Sequence, residues 1–264
     1  PAPTRQTLLD AARRSPEIAT LHDEDAWVAL YTADAVIEDP VGTPACQRGV
    51  YTRPGKLDDL SRFFRTFIAP STIRVEALGE FVVGNTVIRD VVLHVKLPGG
   101  AGASVPAILR YELVSDSNEL LVSRMRAYWD AGQNGRQMLA AGWKGKITST
   151  LSGLRLMRWL GQEWTGRYVA GTKKGMRRDG PKQVDALSTA LKTGDSAALD
   201  GLVAAGASAT LPGGSKQPIT SLGPLGLSFS EARSSGFVVA SRVNGSVEGR
   251  AVNGIAFVEF DPSS

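Results

Sequence analysis

At Ser71 the hydrophobic period of the chain changes from that of a helix to that of a strand, and it stays that way to Tyr128. Before the switch, residues 6–31 read as two helices. In the second, Asp23 and Asp25 precede an apolar stripe of Ala26, Trp27, Leu30 and Tyr31, an acidic start that suits a helix N-terminus. Pro16 is expected to delay or kink the first helix. Ala35–Asp39 reads as a short strand stopped by Pro40, Gly42–Gly55 as loop, and Leu57–Ile68 as a helix with Leu60, Phe63, Phe64 and Phe67 at helical spacing. After the switch, Ile73–Leu78, Phe81–Val83, Thr86–Leu97, Ser104–Leu113 and Leu120–Tyr128 alternate with period two. Their turns fall at Pro98-Gly99-Gly100 and Asp116-Ser117-Asn118. Helices followed by a run of strands predict an α+β fold: N-terminal helices packed on a strongly curved antiparallel sheet.

Residues 133–180 follow another pattern. Trp143, Ile147, Leu151, Leu154, Met157 and Trp159 recur at steps of three and four, with Lys144, Lys146, Arg155 and Arg158 among them. Gly145, Gly153, Gly161 and Gly166 weaken one continuous helix, and Gly171–Gly180 reads as a basic hinge. Beyond Pro181 the first pattern returns. Asp195–Val203 lies over Asp23–Tyr31 without a gap at an offset of 172. The same offset sets Leu211-Pro212 on Asp39-Pro40 and Gly214 on Gly42, and strand-like stretches follow at Phe237–Val243 and Ile255–Phe260. This predicts tandem duplication: a complete domain over 1–132, a basic aromatic helical linker over 133–180, and a shortened second copy over 181–264.

Charge follows the same divisions. Residues 1–132 hold 14 Lys/Arg against 17 Asp/Glu, residues 133–183 hold 11 against 2, and residues 184–264 hold 5 against 7. The net +4 of the chain is therefore a basic segment between two mildly acidic ones. With Cys46 as the single cysteine and His22 and His94 as the two histidines, an intrachain disulfide and a thiolate metal cluster are excluded, and no metal or cofactor is expected. No apolar run is long enough to span a bilayer, and Pro1–Thr7 lacks a basic-then-apolar leader, so a cytoplasmic location is expected. No phosphate loop or dinucleotide glycine pattern occurs, and nucleic acid is not an expected partner.

Two stretches resemble a known family. Ala29-Leu-Tyr-Thr-Ala-Asp-Ala-Val-Ile-Glu-Asp-Pro-Val-Gly42 resembles the turn into the first strand of steroid Δ-isomerases, and Met125-Arg-Ala-Tyr-Trp129 resembles their final strand. The wider group is the nuclear-transport-factor-2-like superfamily, with ketosteroid isomerases, SnoaL-type polyketide cyclases and limonene-type epoxide hydrolases. The resemblance implies a cone-shaped fold holding a hydrophobic steroid- or polyketide-like ligand. It casts Asp39 as the proton-shuttling base, with Glu38 turned to solvent on the opposite side of the strand. It also implies that Trp27, Phe64, Leu109 and Trp129 line the ligand cavity.

The family's oxyanion hole uses a Tyr on the first helix and a protonated Asp on a late strand. Those positions carry Ser15 and Leu109 here, and the aromatic that supports the Tyr falls on Phe64. Tyr111 shares a strand face with Leu109 and Leu113 and is the candidate replacement donor. If that face were inverted, Arg110 and Glu112 would join Asp39 in an epoxide-hydrolase-like set. Arg89 and Asp90 are adjacent, so one of the two is expected inward. The second copy has Leu211 at the base position, so no proton transfer of this kind is expected there. It is expected instead to pair with the first cone within the chain, or two chains to pair as a homodimer. The alternative to an isomerase- or cyclase-type enzyme is a noncatalytic lipid-binding or interaction module that docks on an anionic membrane surface through 133–180.

Overall fold

The first helix, α1 (Arg5–Leu21), opens on Thr4, whose hydroxyl accepts from the Thr7 amide at 3.2 Å, and closes on His22 in a left-handed conformation. It runs through Pro16, at the loss of one intrahelical donor, so the expected late start does not occur. In α2 (Glu24–Ala29) the carboxylate of Asp23 caps the Ala26 amide at 2.9 Å. The structure is a computed structural model that describes residues 2–51, 55, 57–117, 119–204, 206–212, 214–247 and 249–262. Part of the expected loop 42–55, the turn residue Asn118 and the two chain ends Pro1 and Ser264 lie outside the described residues.

The strands are β1 (Tyr31–Glu38), β2 (Cys46–Gln47), β3 (Thr72–Val83), β4 (Thr86–Lys96), β5 (Gly102–Asp116) and β6 (Glu119–Tyr128). Between β2 and β3, α3 (Asp59–Phe63) passes into a π-helical turn over Phe64–Ile68. Among the described residues these six strands form one sheet in the order β2-β1-β6-β5-β4-β3. Its pairs are antiparallel except one: β1 runs parallel to β6, with Ile37 opposite Met125. Bulges at Leu78 in β3, at Ser123 in β6 and within β1 add bend and twist to the strands. The concave side carries Val87, Val91, Leu109, Tyr111, Leu113, Met125 and Ala127, all buried, in the expected alternation. Trp27 fills the centre of that side, 4.8 Å from the Tyr31 ring and 5.4 Å from Phe64.

The segment expected as a linker is part of this first unit, which spans Pro1–Lys174, and the second unit spans Gly175–Ser264. It forms α4 (Ala131–Ala140), α5 (Gly142–Trp159) and α6 (Gly161–Lys173). Gln137 of α4 is hydrogen-bonded to both backbone groups of Ser104, at 3.0 and 2.9 Å, as a strand neighbour would be. Leu156, Leu160 and Trp164 are buried in the same core as the sheet. The burial of Leu156, Leu160 and Trp164 thus docks α5 and α6 on the first unit instead of leaving them as a tether.

In the second unit, α7 (Asp179–Thr193) and α8 (Ser196–Leu202) are followed by the ribbon of β7 (Ser208–Thr210) and β8 (Lys216–Pro218). A three-stranded antiparallel sheet of β9 (Ser228–Ser235), β10 (Val238–Val247) and β11 (Arg250–Glu259) ends it. Two local features recur at the offset of 172. Asp195 caps the Ala198 amide at 3.0 Å as Asp23 caps Ala26, and Gly214 and Gly42 share a positive φ, 86° and 92°.

Gly171 is where α6 meets the loop after β1. A Cβ there would lie 2.5 Å from the Gly42 carbonyl oxygen and 3.0 Å from the Thr43 Cα, whereas one on Gly166, in the same helix, meets nothing. Gly171→Ala is expected to lower the unfolding free energy of the first unit by about 1–3 kcal/mol through overpacking. Gly166→Ala is expected to raise it by about 1 kcal/mol through helix propensity. Urea denaturation of both variants checks the pair, and equal effects would mean that α6 does not dock at this point.

Candidate active site

Asp39 extends the inward series of β1. Tyr31, Ala35 and Ile37 are buried on the concave side, Glu38 points the other way, and Asp39 follows at the strand's end. Because β1 lies parallel to β6, the strand's end arrives beside the end of its partner. The Val41 amide donates to the Ala127 carbonyl at 2.9 Å, and the Trp129 indole Nε1–H donates to Asp39 Oδ1 at 2.6 Å. Burial pushes the Asp39 carboxyl above the usual carboxylate range, and the Trp129 hydrogen bond offsets part of that rise. The residue keeps some accessible surface, so it combines a dense surrounding with a route to solvent or ligand.

Hydroxyl groups occupy the interior that the Asp39 charge reaches. Ser15 Oγ of α1 and Tyr31 Oη of β1 are 3.0 Å apart and buried. Tyr111 of β5 is buried on the same face, close enough to Ser15 and to Arg89 of β4 for both to hold its pKa down against burial. Burial holds Tyr31 well above the ordinary tyrosine range and pushes Tyr111 up to about 12, and the charge of Asp39 adds to both shifts. Both phenols therefore stay protonated at neutral pH and are available as donors.

Arg89 of β4 is the cation whose charge reaches Tyr111. It is 6 % exposed, and its Nε donates to Glu80 Oε1 at 2.9 Å. Glu80 is held from the other side by Arg13 of α1, and this pair of guanidinium partners draws its carboxyl below the usual range. The Arg89 Nη1 is buried with no hydrogen-bond partner among the described residues. Of the adjacent pair, Arg89 takes the inward side, while Asp90 is also buried, at the bulge opposite Gly79.

The remaining expected residues fall into two groups. Trp27, Phe64 and Leu109 are buried in the core, with Trp27 and Phe64 in ring contact beside Tyr31, and Trp129 is half-buried against Asp39. Arg110 and Glu112 lie on the convex side. They pair at 3.2 Å, and Glu112 also binds Arg126 at 2.7 Å, so they do not join Asp39 and the epoxide-hydrolase-like set is not assembled. Glu38 is not simply solvated, because it accepts from Arg124 at 2.7 Å in the same ionic network. Cys46 is buried and its thiol is pushed far up by burial, which leaves it inert as a nucleophile. His94 bridges Ser104 and Glu76, both at 3.0 Å. Among the described residues no group of three or more His, Cys, Asp and Glu can hold a metal ion.

Sequence reasoning missed two features. The Ser15–Tyr31 pair was legible in part, since Tyr31 lies eight residues before Asp39 on one alternating face. The other feature is Tyr168 of α6, which stacks on Trp164 at 5.2 Å and packs on Phe67 at 5.5 Å. Its hydroxyl is pushed up by burial first and by the Asp39 charge second, so α6 brings an aromatic wall to the Asp39 side of the cone.

A family profile described as a SnoaL-like domain matches residues 12–118. Solved structures similar to the chain include a computationally designed 17-OHP binder, with 23 % identity over 48 % of this chain and 95 % of that one at a TM-score of 0.40. They also include a Mycobacterium tuberculosis protein in complex with estradiol-17beta-hemisuccinate, with 26 % identity over 48 % and 96 % at a TM-score of 0.41. A Delta 5-3-ketosteroid isomerase from a Mycobacterium species has 26 % identity over 48 % and 95 % at a TM-score of 0.39. None of the curated proteins matches the chain. Residues 12–118, which carry Ser15, Asp39, Arg89 and Tyr111, are a SnoaL-like domain.

Proposed function

We propose that the SnoaL-like domain binds an apolar, steroid- or polyketide-like small molecule and transfers a proton within it, with Asp39 as the base. The observation that carries this reading is a carboxyl of raised pKa, oriented by Trp129, in one interior with the hydroxyls of Ser15, Tyr31 and Tyr111. Asp39 takes a proton from the carbon beside a ligand carbonyl, the C–H electron pair moves into the enolate, and the carbonyl oxygen gathers negative charge. A hydroxyl of the Ser15–Tyr111 pair donates to that oxygen. Asp39 then returns the proton to another carbon, which shifts the double bond with no net gain or loss of atoms. Arg89 acts as a positioning residue: its charge favours a phenolic oxygen turned towards the guanidinium, so the Tyr111 O–H is left to point at Ser15 or the ligand. Ser15 stands at the position of the isomerases' Tyr and Tyr111 at neither of their two donor positions, so the reading is an isomerase- or cyclase-type reaction with a rebuilt oxyanion site.

A second reading is a noncatalytic module, a lipid carrier or an interaction module that uses the basic segment 133–180. It is favoured by the completeness of the packing, since Trp27, Tyr31, Phe64 and Tyr111 are each fully enclosed by neighbouring side chains.

Turnover of a β,γ-unsaturated ketosteroid by the full chain separates the two. Asp39→Asn is expected to lower kcat/KM by about 10²–10⁴ with ligand binding retained. Tyr111→Phe is expected to cost about 10². Binding without turnover in the native protein would favour the carrier. The pH profile gives a further check: kcat/KM should rise with pH through a midpoint above the ordinary Asp value of about 3.9, because the base must be ionised and its pKa is raised.

Stability should move in the opposite sense. A carboxyl whose native pKa is raised binds its proton more tightly in the folded chain than in the unfolded one. Folding stability therefore falls as pH rises from the unfolded pKa through the native pKa. Asp39→Asn keeps an acceptor for Trp129 and has no proton to lose. It should unfold at higher urea than the native protein at pH 7, with the gap closing towards pH 4. An Asn variant less stable at pH 7 would contradict the buried-carboxylate account.

A further inference from the structure

The 18 residues of α5 present two different faces. Gly145, Thr148 and Leu156 are buried on one. On the other, at 100° per residue, Trp143, Ile147, Leu151, Leu154 and Met157 share a sector about 120° wide. All five are solvent-exposed, Trp143 at 67 % and Leu154 at 62 %, and Leu139 at the end of α4 is exposed beside them at 79 %. Such a contiguous stripe of large apolar side chains differs from the single exposed apolar residues common on any surface. Its edges are basic. Lys146 flanks one side, Lys144 flanks the other with its ammonium 5.9 Å from the centre of the Trp143 ring, and Arg158 is exposed within the sector. The helix contains four Lys/Arg and no acidic residue. Among the described residues no helix is long and apolar enough to cross a membrane.

We propose that α5 lies in the plane of an anionic lipid surface, with the stripe from Trp143 to Met157 in the acyl boundary and Lys144, Lys146 and Arg158 at the headgroups. An apolar strip flanked by cations, with an indole at its end, matches an interface whose depth is apolar and whose surface is negative. Charge decides the occupant. A second copy of the same stripe would bring lysines against lysines, whereas phosphates neutralise them.

The test is co-sedimentation of the full chain with vesicles of mixed phosphatidylglycerol and phosphatidylcholine, and with vesicles of phosphatidylcholine alone. The expected result is binding to the anionic vesicles only, weakening as salt is raised. Neutralising the two lysines, Lys144→Gln with Lys146→Gln, should weaken binding about thirtyfold, at about 1 kcal/mol for each cation near the surface. Leu151→Ser with Leu154→Ser should weaken it at least tenfold. All four side chains are exposed, so thermal melts should match the native protein and separate lost binding from lost folding. Absence of binding by the native chain would overturn the proposal, as would binding that neither pair of substitutions alters. A lipid-independent dimer that the leucine pair dissociates, seen by sedimentation velocity, would assign the stripe to a second copy and overturn it equally.

Discussion

The parallel pairing of β1 with β6 sets the position of every group in the candidate site. A strand that lies parallel to its neighbour ends where that neighbour ends, so Asp39, just past β1, stands beside Trp129, just past β6. Had β1 paired antiparallel with β6, the carboxyl and the indole would lie at opposite ends of the sheet. The same pairing turns Tyr31, at the start of β1, towards α1, where Ser15 meets it. One backbone ladder thus sets both ends of the polar interior: a carboxylate at the rim and hydroxyls further in. The inward alternation of β4 and β5 supplies the rest, because Arg89 and Tyr111 are diagonal neighbours across that pair.

Such an interior is costly to fold unless its polar groups satisfy one another. A guanidinium buried alone is strongly unfavourable, and Arg89 is tolerable because Glu80 faces it from the paired position on β3. Glu80 in turn is shared with Arg13 of α1, so the ion chain fastens the first helix to the sheet above the hydroxyls it orients. The opposite face follows different physics. Glu38, Arg124, Arg126, Glu112 and Arg110 form a half-exposed network in which solvent screening limits each pair to about 1 kcal/mol or less. Two sets of charges on one sheet therefore do different work. The concave set is small and more deeply buried, while the convex set covers a surface. A single residue's step along a strand separates them, as Glu38 and Asp39 illustrate.

This arrangement was partly legible in the sequence. The change of hydrophobic period at Ser71 is a property of side-chain direction, and it located β3 to β6 within a few residues. The alternation through Leu109, Tyr111 and Leu113 identified the concave side correctly, because three consecutive inward residues leave Arg110 and Glu112 no other direction. Strand partnership is not a property of periodicity, so the parallel β1–β6 pair was not legible, and neither was the Ser15–Tyr31 contact that depends on how α1 crosses the sheet. The role of α6 was hidden for a related reason. Trp164 and Tyr168 stand four residues apart and mark an apolar face, but nothing local says that the face packs on Phe67. Glycine was misread for the same cause. Gly171 is a weak helix former in isolation, yet it is what allows α6 to approach the backbone of Gly42.

The second unit shares with the first two features that serve the backbone. It keeps the carboxylate helix cap at Asp195 and the left-handed glycine at Gly214, both of which serve the backbone. At the offset of 172 from Asp39 it has Leu211, and among the described residues its larger sheet has three strands where that of the first unit has six. A cap and a turn glycine stabilise whichever chain contains them. A carboxyl whose pKa is raised by burial does not, since its ionisation opposes folding at neutral pH. The fold of the first unit therefore gains nothing at neutral pH from the Asp39 carboxylate, which supports the proposal that the residue is there for chemistry.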